Sequence, residues 1–445
     1  MYQRRPLFMI VLTTIALLCS LALPVAAAKK LTCWSELTVD SHRDYFENTV
    51  VRGFEEENPD IKIEVSFKED LNQAMRTALQ AGAGPDIIWT PGPSFALEYV
   101  LADMFLPLDN YAELWDWNSK ISNWALDLGR VDGKLYSISL ELEAMVLYFN
   151  KTLFEEMGWE VPTTLQDMES AAAKAEAAGL IPFVHGNAGW RPSNEWHVGV
   201  FLNHYAGAEA VKEALLGKRP WTDQLFVQSI EKLNDYVQRG WFSKGIGNYY
   251  SLTGEDRWSM LANREGAMII EGSWAMSSAG EYFNPEVGVD DEWDWVPVPV
   301  MRRGLAEPLY TLGMGSTVSV NARSQYPDDA AKFIDYLFAD RKRAGKWIFD
   351  HGAIFNNPLP FEPEDFPPGM EHRWTRFITE LVDATATGCY GYTTWTFWPA
   401  KSDVYIYEGI ERVWSGEISP TTYLEELDTI FQQEIAEGKI PPLPH

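Results

Sequence analysis

Basic residues are scarce in this 445-residue chain. Thirty-six Lys and Arg stand against 64 Asp and Glu, a formal charge of −28. A surface of that sign repels phosphate backbones and anionic headgroups, which argues against nucleic-acid binding. Cysteine is also scarce, with three in all: Cys19, Cys33 and Cys389. That is too few for a disulfide framework, and the spacing excludes an exchange motif. Cys33 and Cys389 read as small buried hydrophobes, with a bridge between them the alternative in an oxidising compartment. The seven histidines are scattered and form no H-E-x-x-H or paired metal spacing; His197 and His204 read as ordinary surface or core residues. "GMGST" lacks the lysine of a phosphate loop, and no G-x-S-x-G occurs. No cofactor and no metal are expected.

Long apolar runs are limited to the start of the chain. "MYQRR", "PLFMIVLTTIALLCSLAL" and "PVAAA" follow the order of an export signal, with Ala26 and Ala28 before the cut. Residues 1–28 therefore read as a secretory leader, with a membrane anchor as the rival reading. Leu18 before Cys19 disfavours lipid attachment. Without Arg4 and Arg5 the charge becomes −30. An exported protein follows, in a periplasm or outside the cell envelope.

What remains is too long for one ordinary core, so two domains are expected. "KKLTCWSEL" has a strand pattern, and the helical spacing of "DYFENTVVRGFEEENPD" stops at Asn58-Pro59. "IKIEVSF" alternates with Ile61, Ile63, Val65 and Phe67 on one face. A helix over "LNQAMRTALQ", a buried strand "PDIIWT" and a helix after "PGPS" complete a β-α-β-α-β order. That order predicts a mainly parallel sheet wrapped by helices.

Tryptophan, by contrast, is plentiful: 19 residues. Each indole N–H needs a partner, so such a number favours a groove lined by some of them. The segment "SISLELEAMVLYFNK" reads as buried, yet it holds Glu141 and Glu143. Two carboxylates in an otherwise apolar run are not what a core requires.

Six stretches, in order, carry a resemblance: "FEEENPDIKIEV", "GAGPDIIW", "GKLYSISLELEAMVLYFNKTLFEEMG", "GAMIIEGSWAM", "TVSVNARSQYPDDAAKFIDYL" and "WTFWPAKS". Together they resemble the solute-binding proteins of carbohydrate ABC transporters, the maltose-binding-protein-like family, over residues 30–432. The resemblance implies an α/β, two-lobe periplasmic binding protein fold (class II-like) with a multi-crossing hinge. It places lobe 1 at 29–140 and 308–345 and lobe 2 at 141–307 and 346–445, with crossings near 140–143 and 300–315. It also implies a monomer that captures a neutral sugar or oligosaccharide and delivers it to a membrane permease, without catalysis.

By the same resemblance Glu143, Trp274 and Trp398 match sugar-contacting positions, while Glu141 sits at the crossing. Strand-end position adds Trp34 and Glu36, then Trp89 and Thr90. The loop "GWRPSNEWH" adds Trp190, Trp196 and Glu195, with Arg191 as a further polar partner. Trp115, Trp117, Trp293 and Trp295 read as structural. "WTPGPSF" departs from the family pattern by lacking a charged residue, so the sugar need not be the same. Two alternatives stand: a polyamine in the same fold, and a secreted glycoside hydrolase using Glu141 and Glu143.

Overall fold

The computed structural model describes residues 28–35, 37, 40–68, 71–351 and 356–444. The leader segment and Glu36 lie outside the described residues. The strands, in chain order, are β1 (Lys29–Ser35), β2 (Ile61–Phe67), β3 (Ile87–Thr90), β4 (Arg130–Val131), β5 (Lys134–Leu135), β6 (Ile138–Ser139) and β7 (Leu142–Asn150). They continue as β8 (Ile181–Phe183), β9 (Gly266–Gly272), β10 (Trp293–Pro297), β11 (Tyr310–Met314), β12 (Thr317–Val320) and β13 (Tyr390–Tyr392). A first sheet has the order β2-β1-β3-β12-β6; a second has β13-β11-β7-β9-β8, with β10 also on β7. β4 and β5 form a small separate hairpin.

Local chemistry explains several boundaries. The Asn58 side chain folds back on Phe54 O at 2.9 Å and ends the helix Arg52–Glu57. β7 is buried along its whole length, which its run "AMVLYF" requires, and its two strongly polar residues sit near its ends. At the far end Asn150 caps the next helix, accepting from Leu153 N at 2.8 Å. Rings fill both cores: Phe54 packs on Phe333 and Tyr336 beneath the first sheet, and Phe183 on Tyr236 and Phe242 beneath the second.

Both sheets are mainly parallel, as expected, with one reversed strand in each: β12 in the first and β7 in the second. β1 pairs parallel with β2 and β3, but β12 runs antiparallel to β3 and β6. β7 is antiparallel to β9, β10 and β11. The reason is the chain's return journey. It passes from the first sheet to the second between Ser139 and Leu142, and comes back between Met314 and Thr317, so the strand that enters each sheet at a passage, β7 or β12, runs opposite to the rest of that sheet. β11 accordingly pairs in the second sheet, although the sequence division assigns residues from 308 onward to the first unit.

The two passages bond to each other: Leu140 N donates to Ser316 O at 2.8 Å, and Gly315 N to Glu141 O at 3.1 Å. A third segment closes the other side. Leu142 N donates to Asn356 O at 2.8 Å, the Asn356 side chain donates to Leu142 O at 2.6 Å, and that of Asn357 to Leu140 O at 3.2 Å.

Among the described residues Cys33, buried in β1, and Cys389, half-buried, are unbridged. His197 and His204 are buried, as are Trp117, Trp293 and Trp295, while Trp115 is half-buried. Among the described residues no helix is long and apolar enough to cross a membrane, and no cluster of three or more metal-ligating side chains occurs. Replacing Asn356 with Ala strands a buried carbonyl at the passage, so denaturant unfolding is expected to show a loss of about 1–3 kcal/mol.

Candidate functional site

One edge of the second sheet carries the site. The parallel pairs β8–β9 and β11–β13 end there, and β7, antiparallel to β9 and β11, begins there. Open α/β sheets bind ligands at such strand ends. Glu143 is the second residue of β7, opposite Gly313. Trp274 follows β9 on the turn Ser273–Ala275. Gly315 follows β11, and Trp395 follows β13 on the one-turn helix Thr394–Phe397.

These side chains meet. The Glu143 carboxylate accepts from the Trp395 indole N–H at 3.1 Å. Trp395 packs edge-on against Trp274 with centroids 5.6 Å apart, and Trp274 lies 5.1 Å from Trp196 at a 60° tilt. The three rings thus form a corner beside the carboxylate. Trp274 and Trp395 remain half-exposed, and Trp196 is buried behind them.

Two glycines make the approach possible. A Cβ on Gly272 would lie 2.1 Å from the Trp274 ring, so only glycine lets the indole fold back over the strand end. A Cβ on Gly315 would lie 2.7 Å from both Glu141 Oε2 and Glu143 Oε1. The two carboxylates therefore converge on one point of the returning chain.

Both carboxylates are more covered than the sequence reading expected, with Glu141 and Glu143 exposed by 8% and 7%. The Trp395 indole supplies cover at Glu143 along with its hydrogen bond. Trp395 itself is missing from the residues singled out in the sequence. Threonines on either side pin it: Thr394 Oγ1 donates to Glu195 Oε2 at 2.9 Å, and Met314 N donates to Thr396 Oγ1 at 2.9 Å. The signal was this flanking pattern in "TTWTFW".

Trp398, matched by resemblance to a stacking position, is instead core. It leaves the short helix in an extended conformation, is 0% exposed, and packs on Trp221 at 5.2 Å. Trp89 likewise turns inward, against Phe46 at 5.2 Å, because β3 is buried on both faces. Thr90 is buried and bonds Thr317 across the first sheet. Trp34 stays half-buried at the end of β1 with the Lys68 ammonium 4.6 Å from its ring. Trp190 is exposed, and Arg191 beside it pairs with Glu408 and Glu411.

Behind the rings lies a charged support. Arg257 Nη2 reaches Glu271 Oε1 at 2.8 Å, Nη1 reaches Gly186 O at 2.7 Å, and the guanidinium lies 5.4 Å from the Trp196 ring. Burial raises the Glu271 carboxyl above its ordinary value, while Arg257 and the Trp274 indole oppose that rise.

Glu195, on the helix Asn194–Phe201, faces away from the corner toward Asp403. Burial and the neighbouring Asp403 hold the Glu195 carboxyl well above the usual carboxylate range. Burial pushes Asp403 up to about 6, opposed by a hydrogen bond from Glu195 and aided by nearby Glu434. The pair shares a proton that the unfolded chain releases near pH 4. The native state therefore binds more protons between about pH 4 and 6, and stability falls as pH rises through that window. Glu195→Gln should flatten this fall relative to the unaltered protein in thermal melts from acid to neutral pH; identical slopes would contradict the shared proton.

The architecture agrees with known proteins. Residues 40–344 match the family model described as bacterial extracellular solute-binding protein. The multiple sugar-binding protein of Streptococcus mutans is 24% identical over 66% of this chain and 67% of its own length. A structure from work on xylan utilization by Caldanaerobius polysaccharolyticus superposes with a TM-score of 0.75 at 21% identity, covering 90% of this chain and 99% of that one. A sugar transporter from Bacillus licheniformis in complex with stachyose gives 0.68 at 19% identity, covering 91% and 99%. With its two sheets, its crossings and more than half of its length matched, the chain belongs to the bacterial extracellular solute-binding protein family.

Proposed function

We propose that this protein captures a neutral sugar or oligosaccharide between two units built on the two sheets and hands it to an ABC-transporter permease. The observation that carries the reading is the corner at the passage, where the Glu143 carboxylate stands beside the half-exposed rings of Trp274 and Trp395. Flat indoles suit the C–H faces of sugar rings, and a carboxylate accepts strongly from their hydroxyls. The family relatives described above include proteins named for sugars or solved with one.

In this reading Glu141, Glu143, Trp274 and Trp395 contact the ligand, Trp196 backs them, and Trp34 approaches from the first unit. The units correspond to the first sheet with its helices, and the second with its own. A ligand touching both favours the closed arrangement, because those contacts exist only there. The protein works exported, in a periplasm or on the exterior of the cell envelope, as a monomer.

Capture without chemistry fits the carboxylates. Glu141 and Glu143 reach the same side of one strand edge instead of flanking a bond, as a hydrolase pair does. An anionic solute fits poorly, since Arg257, the cation at the rings, is paired with Glu271. A cationic solute such as a polyamine is the second reading, favoured by the convergence of the two carboxylates on Gly315.

Calorimetric titration with neutral oligosaccharides and with spermidine separates these readings. Heat and a raised melting temperature with the glycans, with no new reducing ends, are expected; heat with spermidine alone would overturn the choice. Trp274→Ala should weaken glycan binding by more than about 1 kcal/mol. Trp398→Ala should instead lower stability by about 3–5 kcal/mol, as loss of a core ring does.

A further inference from the structure

The sequence offers Glu195 as a ligand contact, and the structure turns it away from the corner while leaving it one hydrogen bond from the turn that carries Trp395. Glu195 stands in the first turn of the helix Asn194–Phe201 and is buried. Its Oε2 accepts from Thr394 Oγ1 at 2.9 Å, and Thr394 opens the one-turn helix Thr394–Phe397. One turn further along the longer helix, a Cβ on Gly199 would lie 3.3 Å from the Thr394 methyl. One helix thus seats Thr394 through a polar and an apolar contact.

On its other side Glu195 meets Asp403, buried in the first turn of the helix Ala400–Trp414. Asp403 accepts a hydrogen bond from Glu195. An ionised carboxylate has nothing to donate, so this contact needs a proton, and Glu195 carries it. Packing alone does not call for two acids here, because burying a carboxyl costs more than burying an apolar group.

The surroundings offer no substitute for that proton. Glu434 and Tyr423, on the helix Pro420–Ala436, face Asp403, and Tyr407 on Asp403's own helix feels both acids and Arg191. The helix Gln224–Gln238, also packed on Asn194–Phe201, turns Lys232 and Tyr236 to Glu169. Arg257 acts on His185 and His197. Among the described residues no Lys or Arg therefore balances a second negative charge at Glu195. Loss of the proton would leave two buried like charges in contact, and their repulsion would pull Glu195 from its place and Thr394 with it.

We propose that Glu195 is a positioning residue, its proton-bearing side chain bridging Asp403 and Thr394 so that the Trp395 ring is presented to the ligand. The effect on binding rests on the saccharide reading above; the effect on Trp395 does not. The test therefore has two readouts, on the unaltered protein, Glu195→Gln and Glu195→Ala. The first is the indole N–H resonance of Trp395 without ligand, followed from acid to alkaline pH and assigned by its absence in Trp395→Phe. The Trp295 indole, which donates to Arg373 O at 3.2 Å, is the control for global unfolding. The second is calorimetric titration with raffinose, stachyose and xylotetraose over the same pH range.

Glutamine copies the protonated acid, since its amide donates to Asp403 and accepts from Thr394. In the unaltered protein the Trp395 signal is expected to move as the pair gives up its last proton, with glycan affinity falling about tenfold. Glu195→Gln should hold both steady, within about twofold in affinity, and Glu195→Ala should bind about tenfold more weakly at every pH. Titration of Glu143, which accepts from Trp395, is common to all three proteins, so the difference between them reads Glu195. If Glu195→Ala does not fold, the comparison with Glu195→Gln still decides. A Trp395 signal that follows the same pH course in Glu195→Gln as in the unaltered protein would overturn the positioning role. The expected signals in a protein that binds none of these glycans would sustain that role and count against the saccharide reading alone.

Discussion

The backbone ladder where the chain passes between its two sheets is the constraint on which the rest depends. Residues 140–142 run at its centre, bonded on one side to Gly315 and Ser316 and on the other to Asn356 and Asn357. Glu143 is the next residue along, Met314 holds Thr396, and Thr396 adjoins Trp395. The aromatic corner is therefore placed by backbone bonds. Each bond is worth modest net stability, but leaving one of these buried groups unpaired costs more. That asymmetry explains two side-chain amides spent on the passage in place of apolar residues.

The same ladder explains the reversed strand in each sheet. A chain that leaves a sheet and returns beside its own exit must run back antiparallel. β6 with β12 and β7 with β11 are the two halves of that return. Of the short spacers that join them, Leu140-Glu141 and Gly315-Ser316, the second has no room for a side chain at position 315. Glycine at position 315 is then a requirement of the two carboxylates that crowd it.

Much of this was legible in the sequence where local pattern and burial agree. The alternation of "IKIEVSF", the stop at Asn58-Pro59 and the apolar run of β7 each have a local cause, and the structure shows them as β2, a helix end and a buried central strand. The corner was half legible. Glu143 and Trp274 stand at strand ends and meet through Trp395, but Trp398 was taken in place of Trp395. The two tryptophans lie three residues apart, and which one faces out depends on the chain leaving its helical turn at Trp398, a backbone event that residue types do not announce. Trp89 turned inward for a related reason: "IIWT" read as a buried strand, and the sheet covers its indole as fully as the rest. The reversal of β12 was illegible because it depends on a partner more than two hundred residues away, as Thr90 opposite Thr317 shows.

Burial of charge divides the acids near the site into two kinds. Glu195 and Asp403 share a proton away from the rings, with Thr394 as the link to Trp395. Glu141 and Glu143, although also largely covered, converge on Gly315 beside the rings, where we place a hydroxylated guest. A crystal structure with the tightest-binding oligosaccharide tests this most directly. The account expects a sugar hydroxyl within about 2.6–3.2 Å of the Glu143 carboxylate and a sugar ring against Trp274 or Trp395. A ligand seated away from the passage, touching neither Glu143 nor these rings, would contradict it.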